Sequence, residues 1–280
     1  MNATILVCCH KKERCATQEP YMPIHVGKAL TSVDLGIIGD DTGDNISEKN
    51  SSYCELTGIY WAWKNLKDAD VVGLCHYRRY FDFHKQCKWG FPLTEFRTDS
   101  FDQKNLSIPT YVLDKISKGS IVVSKPQTVS TLYIQYAIHH HMEDLERLRR
   151  VVSETCDDQS LKAFDKVFYR SNKLRPFNMF IMNKKNFDEY CKWLFGIIFE
   201  FERRTCLSSY DLYQQRIYGF IAERLLNVYI EMKRPNLIEK PVIAFTNEKS
   251  YYTSATNRFQ YFFRCKALDL SNLILSRITL

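Results

Sequence analysis

Short apolar runs alternate with longer segments of helical period along most of this chain. "TILVCCH", near the amino terminus, is an uninterrupted apolar run and predicts a first strand. "VDLGIIGD" predicts a second. "SEKNSSYCELTGIYWAWKNL" predicts a helix, because Leu56, Ile59, Tyr60, Trp63 and Leu66 recur at helical spacing and Asn45 or Ser47 can cap it. "DVVGLCHYRRYF" predicts the next strand. The irregular stretch around residues 85 to 110, with Gly90, Pro92 and Pro109, predicts a loop. "YVLDKISKG" predicts a short helix ending at Gly119, and "SIVVSKP" a strand. "TLYIQYAIHHHMEDLERLRRVVSETC" and "LKAFDKVFYRSNKL" predict helices, "RPFNMFIMNK" a strand, and "KNFDEYCKWLFGIIFEFERR" and "YDLYQQRIYGFIAERLLNVYIEMK" two further helices. "KPVIAF" ends the pattern before a basic-aromatic tail. Strands alternating with helices predict an α/β fold with a mostly parallel sheet flanked by helices. No internal repeat or low-complexity linker breaks the chain. One domain is therefore expected over residues 1–245, with 246–280 a tail either packed on it or lying on a membrane surface.

The chain has 280 residues, enough to bury a sizeable core, and 45% hydrophobic with 25% charged residues fits an ordinary soluble globular protein. The aromatic share of 14% suggests broad, partly polar pockets, although AT-rich coding alone raises Tyr and Phe. The net charge of +7 fits anionic partners. Its basic residues are scattered, with no zinc-finger spacing, RNP-like motif or long basic tract, which disfavours nucleic acid. The 10 cysteines form no CxxC pair, and the short apolar start runs into charge, unlike a signal peptide. A reducing cytoplasm with free thiols is expected. No segment approaches 18 uninterrupted apolar residues, so nothing is expected to span a membrane.

Candidate chemistry concentrates where the apolar run of "DADVVGLCHYRRYFDF" gives way to His76, Tyr77, Arg78 and Arg79. Ligands bind at the carboxyl ends of strands in open α/β sheets. Asp40, Asp41 and Asp44 lie on a Gly-rich turn and either bind ribose hydroxyls or a cation, or form turns and caps. His139, His140 and His141 point about 100° apart on a helix and cannot share one metal. His140 with Asp144, or His141 with Asp144, shares a face, but a zinc site would need further ligands. The alternatives are contact with an acceptor or a neutral, hydrogen-bonded core histidine. Asn178, among apolar neighbours on a strand, suits sugar-hydroxyl binding. Asp211 stands before a helix and can cap it, and Glu223 can pair with Arg224 or Arg216. No GxGxxG, P-loop, GxSxG or HExxH is present.

"GDNISEKNSSYCELTGIYWAWKN", "GLCHYRRYF", "HHMEDL", "FNMFIM", "YCKWLF" and "YDLYQQRIYGFIAERLLNVYI" follow one another as in a bacterial family long catalogued as a domain of unknown function. The chain resembles that family over roughly residues 4 to 245. Its members occur in capsule, exopolysaccharide and O-antigen gene clusters and are assigned as glycosyltransferases, some as galactofuranosyltransferases. In chain order the sequence is also similar to the GT-A nucleotide-sugar transferases. Their Asp-x-Asp, which holds a divalent metal on the donor diphosphate, is replaced here by His76-Tyr77-Arg78. The resemblance implies that Arg78 and Arg79, with His76, meet the diphosphate in the metal's place. The departure puts metal dependence in doubt, and no cofactor beyond the UDP-sugar donor is expected. The alternative is that one arginine forms a structural ion pair and the other is solvated.

By the same resemblance His10 and Lys11 follow the first strand where the base or ribose lies, unless they form a solvated basic turn. Asp41 and Tyr77 join the donor set. So do Asn45, Asn50, Tyr53 and Glu55, which match the family motif. A carboxylate at Glu55 would need a partner, such as an arginine of the HYRR segment. His140, His141, Asn178 and Arg216 fall to the acceptor. Asp211 is the first candidate for general base and Glu223 the second. The expected function is inverting transfer of a hexose, first galactofuranose, from a UDP-sugar to an oligosaccharide or lipid-linked glycan. It would take place in the cytoplasm or at the inner face of the membrane. The alternative is a non-catalytic glycan- or nucleotide-binding module with a transferase-like fold.

Overall fold

A computed structural model describes residues 1–87, 91–247 and 255–278. The strands are β1 (Ala3–Cys9), β2 (Tyr21–His25), β3 (Ile38–Gly39), β4 (Val71–His76), β5 (Arg79–Phe81), β6 (Leu93–Arg97), β7 (Ile121–Ser124), β8 (Gln127–Thr128), β9 (Lys173–Leu174), β10 (Phe180–Asn183), β11 (Leu237–Lys240) and β12 (Val242–Thr246). The helices are α1 (Asn50–Tyr53), α2 (Leu56–Asn65), α3 (Thr110–Ser117), α4 (Leu132–His139), α5 (Met142–Thr155), α6 (Asp158–Asp165), α7 (Lys184–Arg203), α8 (Ile217–Lys233) and α9 (Ala255–Ile278).

The main sheet runs β11-β7-β10-β4-β1-β2-β3, and β5, β12 and β6 extend it from β4. Its pairings are parallel at β1–β2, β1–β4, β2–β3, β7–β11 and β6–β12. They are antiparallel where β10 joins β4 and β7 and where β5 joins β4 and β12. The domain is therefore mixed α/β with a mostly parallel central sheet, as the alternation of patterns predicts.

β1 and β4 are buried on both faces, which explains their continuous apolar runs. Leu6, Cys8, Val72 and Leu74 point into a core shared with α2, α5, α7 and α8. Ile5, Val7, Val71 and Cys75 point the other way, against Tyr80, Phe81, Val112 and Phe245. Gly73 is required at the centre: a Cβ there would lie 2.7 Å from Ile5 Cδ1 and 3.0 Å from the Phe180 carbonyl oxygen. The sheet neighbours on both sides close onto β4 at that point.

Several elements differ from the sequence pattern. The second strand is "YMPIH", not "VDLGIIGD", which contributes only Ile38 and Gly39 to β3. Pro23 lies opposite Val7, before β3 begins to pair at Ile24, so β2 has one neighbour there and the missing N–H costs little. The segment at 85–110 holds β6 and a 3-10 turn at Thr98–Gln103. The helix expected from Ser47 is broken at Cys54, whose φ of 53° is left-handed. "CHYRRYF" is not one strand but a hairpin, with His76 paired to Arg79 and Tyr77-Arg78 at the turn. The helix through the three histidines breaks as well. His140 ends α4 and His141 precedes α5, both in extended backbone, so the i,i+4 pairing of His140 with Asp144 is lost.

Candidate active site

The cleft opens where β1 and β4 end. Its outer part, about 480 Å³, is lined by residues that include His10, Asn50, Glu55, His76, Tyr77, Arg78, Arg79 and Arg216. An inner recess of about 210 Å³ adds Phe177, Gly219, Phe220 and Glu223. Cys54, Glu55, His76, Arg79 and Arg216 line both. These five shared residues come from three separate pieces of chain: the turn between α1 and α2, the β4–β5 hairpin, and the turn into α8. Gly219 permits the last contact, since a Cβ there would lie 3.1 Å from Cys54 Sγ.

The two arginines of the hairpin have different fates. Arg78 donates from Nε and Nη2 to the Glu13 carboxylate at 2.7 and 2.5 Å. Lys11 Nζ reaches the same carboxylate at 2.8 Å. These hydrogen bonds, Arg78's first, hold Glu13 below the usual carboxylate range. Glu13 therefore balances much of the charge on the side of the cleft that sequence analysis assigned to the donor. Arg79 has no carboxylate within ion-pair distance among the described residues. Its guanidinium lies over the Phe177 ring at 4.6 Å. Arg216 donates from Nε to Cys54 Sγ at 3.3 Å and lies 5.5 Å above the Phe220 ring. These two cations face the cleft.

Glu55 lies half-buried in the same cleft. Its Oε1 accepts one hydrogen bond, from Asn178 Nδ2 at 3.0 Å. Desolvation raises its pKa, against the opposing pull of Asn178, of its own backbone N–H, and of Arg216 and Arg79. The partner that the sequence sought for this carboxylate in the HYRR segment is first of all Asn178. Asn178 itself is fully buried, its Oδ1 has no partner, and it follows Phe177 in a run of two left-handed residues, φ 77° and 55°. Such backbone is sparsely populated outside glycine and persists only where surroundings fix it. Here they do: Glu223 Oε1 accepts from the Phe177 N–H at 2.6 Å, and His76 Nε2 meets the Phe177 carbonyl at 2.7 Å. Burial, with Arg79 next in effect, lowers the His76 pKa to about 4. At neutral pH His76 is therefore uncharged, and its Nε2–H donates to Phe177. It thereby holds the Phe177 backbone in place. Burial likewise lowers the pKa of His10, whose ring stands edge-on to Tyr77 at 5.2 Å.

The other sequence candidates lie outside this cleft or hold its walls. Asn50 lines the cleft, but its Nδ2 donates to the Cys54 carbonyl at 2.7 Å and Thr57 Oγ1 at 2.9 Å, fixing the break between α1 and α2. Tyr53 is buried in the core against Tyr218, ring centroids 4.7 Å apart. Asn45 closes a turn through Gly43 and Ser47, and Asp41 is exposed on the same loop. Asp40, which shares the loop, is buried and accepts from the Gly27 and Lys28 amides and from Ser47 Oγ. His140 stacks on Phe220 at 4.3 Å and meets Gln214 Oε1 at 3.0 Å, and burial lowers its pKa to about 4. His141 lies edge-on to Tyr210. Asp211 is exposed, and its Oδ1 accepts from the Gln214 N–H at 2.7 Å. That is a cap on the turn leading into α8, away from the cleft. Among the described residues no three His, Cys, Asp or Glu side chains are grouped to hold a metal ion.

Sequence reasoning missed Glu13, Phe177 and Phe220. The signal for Glu13 was present as the lone acid in "HKKER", close to the end of β1. No local signal marked the aromatic residues as platforms for arginines.

The fold is similar to one already solved. The chain is similar to a solved structure titled "WbbM bifunctional glycosytransferase apo structure", with a TM-score of 0.78 and 28% sequence identity. The match covers 91% of this chain and 48% of that one, so the chain spans about half the length of that protein. No curated protein sequence matches. A family model described as "Domain of unknown function (DUF4422)" matches residues 4–234. That span takes in every wall of the cleft, and the chain belongs to the DUF4422 family.

Proposed function

We propose that this protein is a glycosyltransferase that moves a hexose from a UDP-sugar to a glycan acceptor, with galactofuranose the first donor sugar to test. The observation that carries the reading is the cleft itself. Arg79 and Arg216, which among the described residues have no carboxylate within ion-pair distance, line the same cleft as the half-buried Glu55, where β1 and β4 end. The likeness to a structure named as a bifunctional glycosyltransferase supports it.

In this reading the donor diphosphate lies in the outer cleft against Arg79 and Arg216, and His10 and Tyr77 border the nucleoside. Guanidinium forks stabilise the charge that develops on the departing nucleoside diphosphate. The acceptor enters the inner recess between Phe177, Phe220 and Glu223. The general base is Glu55. With Asn178 its one side-chain hydrogen-bond partner, its carboxylate keeps acceptor capacity, and desolvation makes it a stronger base than a surface glutamate. Glu223 is second, because one of its oxygens is already held by the Phe177 amide. Attack by the acceptor oxygen on the anomeric carbon breaks the sugar–phosphate bond, and the proton passes to Glu55. The stereochemical course is inversion.

The test is UDP release from a panel of UDP-sugars, with and without an oligosaccharide acceptor, in EDTA or in manganese. Turnover that persists in EDTA is the expected result. Turnover abolished by EDTA and restored by manganese would contradict neutralisation by arginine alone. Tight UDP-sugar binding with no UDP release under any condition would favour a non-catalytic binding module.

A further inference from the structure

The chain that leads into Asn178 is gripped by side chains. Every backbone N–H and C=O from Arg175 to Phe177 is met by one. Asn227 Oδ1 accepts from the Arg175 N–H at 2.9 Å, and Asn227 Nδ2 donates to the Arg175 carbonyl at 3.2 Å. Ser124 Oγ donates to the Pro176 carbonyl at 2.9 Å. Glu223 takes the N–H of Phe177 and His76 its carbonyl. These side chains come from β4, β7 and α8, and Glu223 and Asn227 lie one turn apart on the same face of α8. Ser124 and Asn227 are buried in making these contacts.

The backbone so held is costly. Phe177 and Asn178 are both left-handed, and the buried Asn178 Oδ1 has no partner among the described residues. It makes two contacts in the cleft. Asn178 Nδ2 donates to the Glu55 carboxylate, and the Phe177 ring lies beneath the Arg79 guanidinium. One gripped segment thus supports both a carboxylate and a cation of the site. The other charged or titratable groups that face Glu55 are Arg79 from β5, Arg216 from the turn into α8, the Cys8 and Cys54 thiols, and the Tyr190 hydroxyl from α7.

We propose that Glu223 and Asn227 are positioning residues for the transfer, an inference that rests on the transferase reading. By gripping residues 175–177 they keep Asn178 on Glu55 and Phe177 beneath Arg79. When the grip is lost, Glu55 loses its amide donor, and a carboxylate without that donor takes up a proton more readily. The test is a pH titration of the Glu55 carboxyl carbon by NMR in the full chain, assigned by its absence in Glu55→Gln, together with UDP release from the panel of UDP-sugars. Glu223→Gln is the control, because it removes the Glu223 charge and keeps an oxygen for the Phe177 N–H. In Glu223→Ala the Glu55 carboxyl is expected to titrate about one pH unit above its position in Glu223→Gln. UDP release should be slower than in Glu223→Gln by about tenfold or more. Asn227→Ala is expected to move both readouts in the same directions relative to wild type. Thermal melts verify that each variant is folded. Equal titration of Glu55 in folded Glu223→Ala and Glu223→Gln would overturn the proposal. Equal, measurable UDP release by these two variants would also overturn it and return Glu223 to the chemistry. If Glu55 shifts as expected but no chain releases UDP, the transferase reading fails while the grip on Glu55 stands.

Discussion

The tip of the β4–β5 hairpin and the histidine segment between α4 and α5 both crowd rings and charges into a few residues. In the histidine segment His140 and Asp144 are met from within the fold, while His139 and His141 are exposed. His140 is stacked on Phe220 and bonded to Gln214, and Asp144 accepts from Tyr210 Oη at 2.5 Å and Arg147 Nη1 at 2.9 Å. At the hairpin the balance is incomplete. Arg78 is held by Glu13, but Arg79 and Arg216 face the cleft with aromatic rings beneath them, and Glu55 has Asn178 as its one side-chain hydrogen-bond partner. Polar groups matched inside the fold serve structure, whereas charges left facing a cleft retain capacity for a ligand.

The largest contrast should come from Glu55→Gln. Loss of the base should lower kcat by roughly 10²–10⁴-fold with little change in UDP affinity. The same variant should be more stable than wild type at neutral pH. Because the folded carboxyl titrates above its unfolded value, the folded state binds more protons between the two values. Stability is then lost as pH rises through that window, and Gln removes the loss. The acid limb of the wild-type rate profile should accordingly lie above the usual carboxylate range. Unimpaired turnover by Glu55→Gln would move the role to Glu223, tested by Glu223→Gln.

Next in size is Arg79→Ala, which should weaken UDP binding by about 1.5–3 kcal/mol for the lost charged hydrogen bonds. In the histidine segment, Asp144→Ala should instead cost about 1–3 kcal/mol of stability and leave UDP affinity unchanged. A matching loss of UDP affinity there would erase the distinction between the two regions. The smallest effect is expected at Asp211→Asn. Asn caps as well as Asp, so stability should change by less than about 0.5 kcal/mol and turnover should stay near wild type. A loss of two orders of magnitude in kcat would return Asp211 to the chemistry.

The parts of the fold legible in sequence are those set by burial alone. β1, β4, β7 and α7 stand out because continuous or periodic apolar residues have no other use. β2 was hidden by Pro23, tolerated because β3 is too short to need its N–H. Nothing in "SYCEL" breaks a helix. The left-handed Cys54 sits where α8 packs against it at Gly219, a contact made far along the chain. The same holds for the site. The sequence marked Arg79, Arg216 and Glu55 as candidates, but which arginine remains available depends on where Glu13 lies. Likewise the partner of Glu55 depends on Asn178, 123 residues away.

Isothermal titration of UDP into wild type, Arg78→Ala, Arg79→Ala and the Arg79→Ala/Arg216→Ala pair tests the central claim most directly. UDP should bind wild type without added metal and more weakly as salt rises. Binding should fall by roughly 10–100-fold in Arg79→Ala and further in the double variant. Arg78→Ala should lose less affinity than Arg79→Ala, because Arg78 is already held by Glu13. Equal UDP affinity in wild type and the folded double variant would contradict the account.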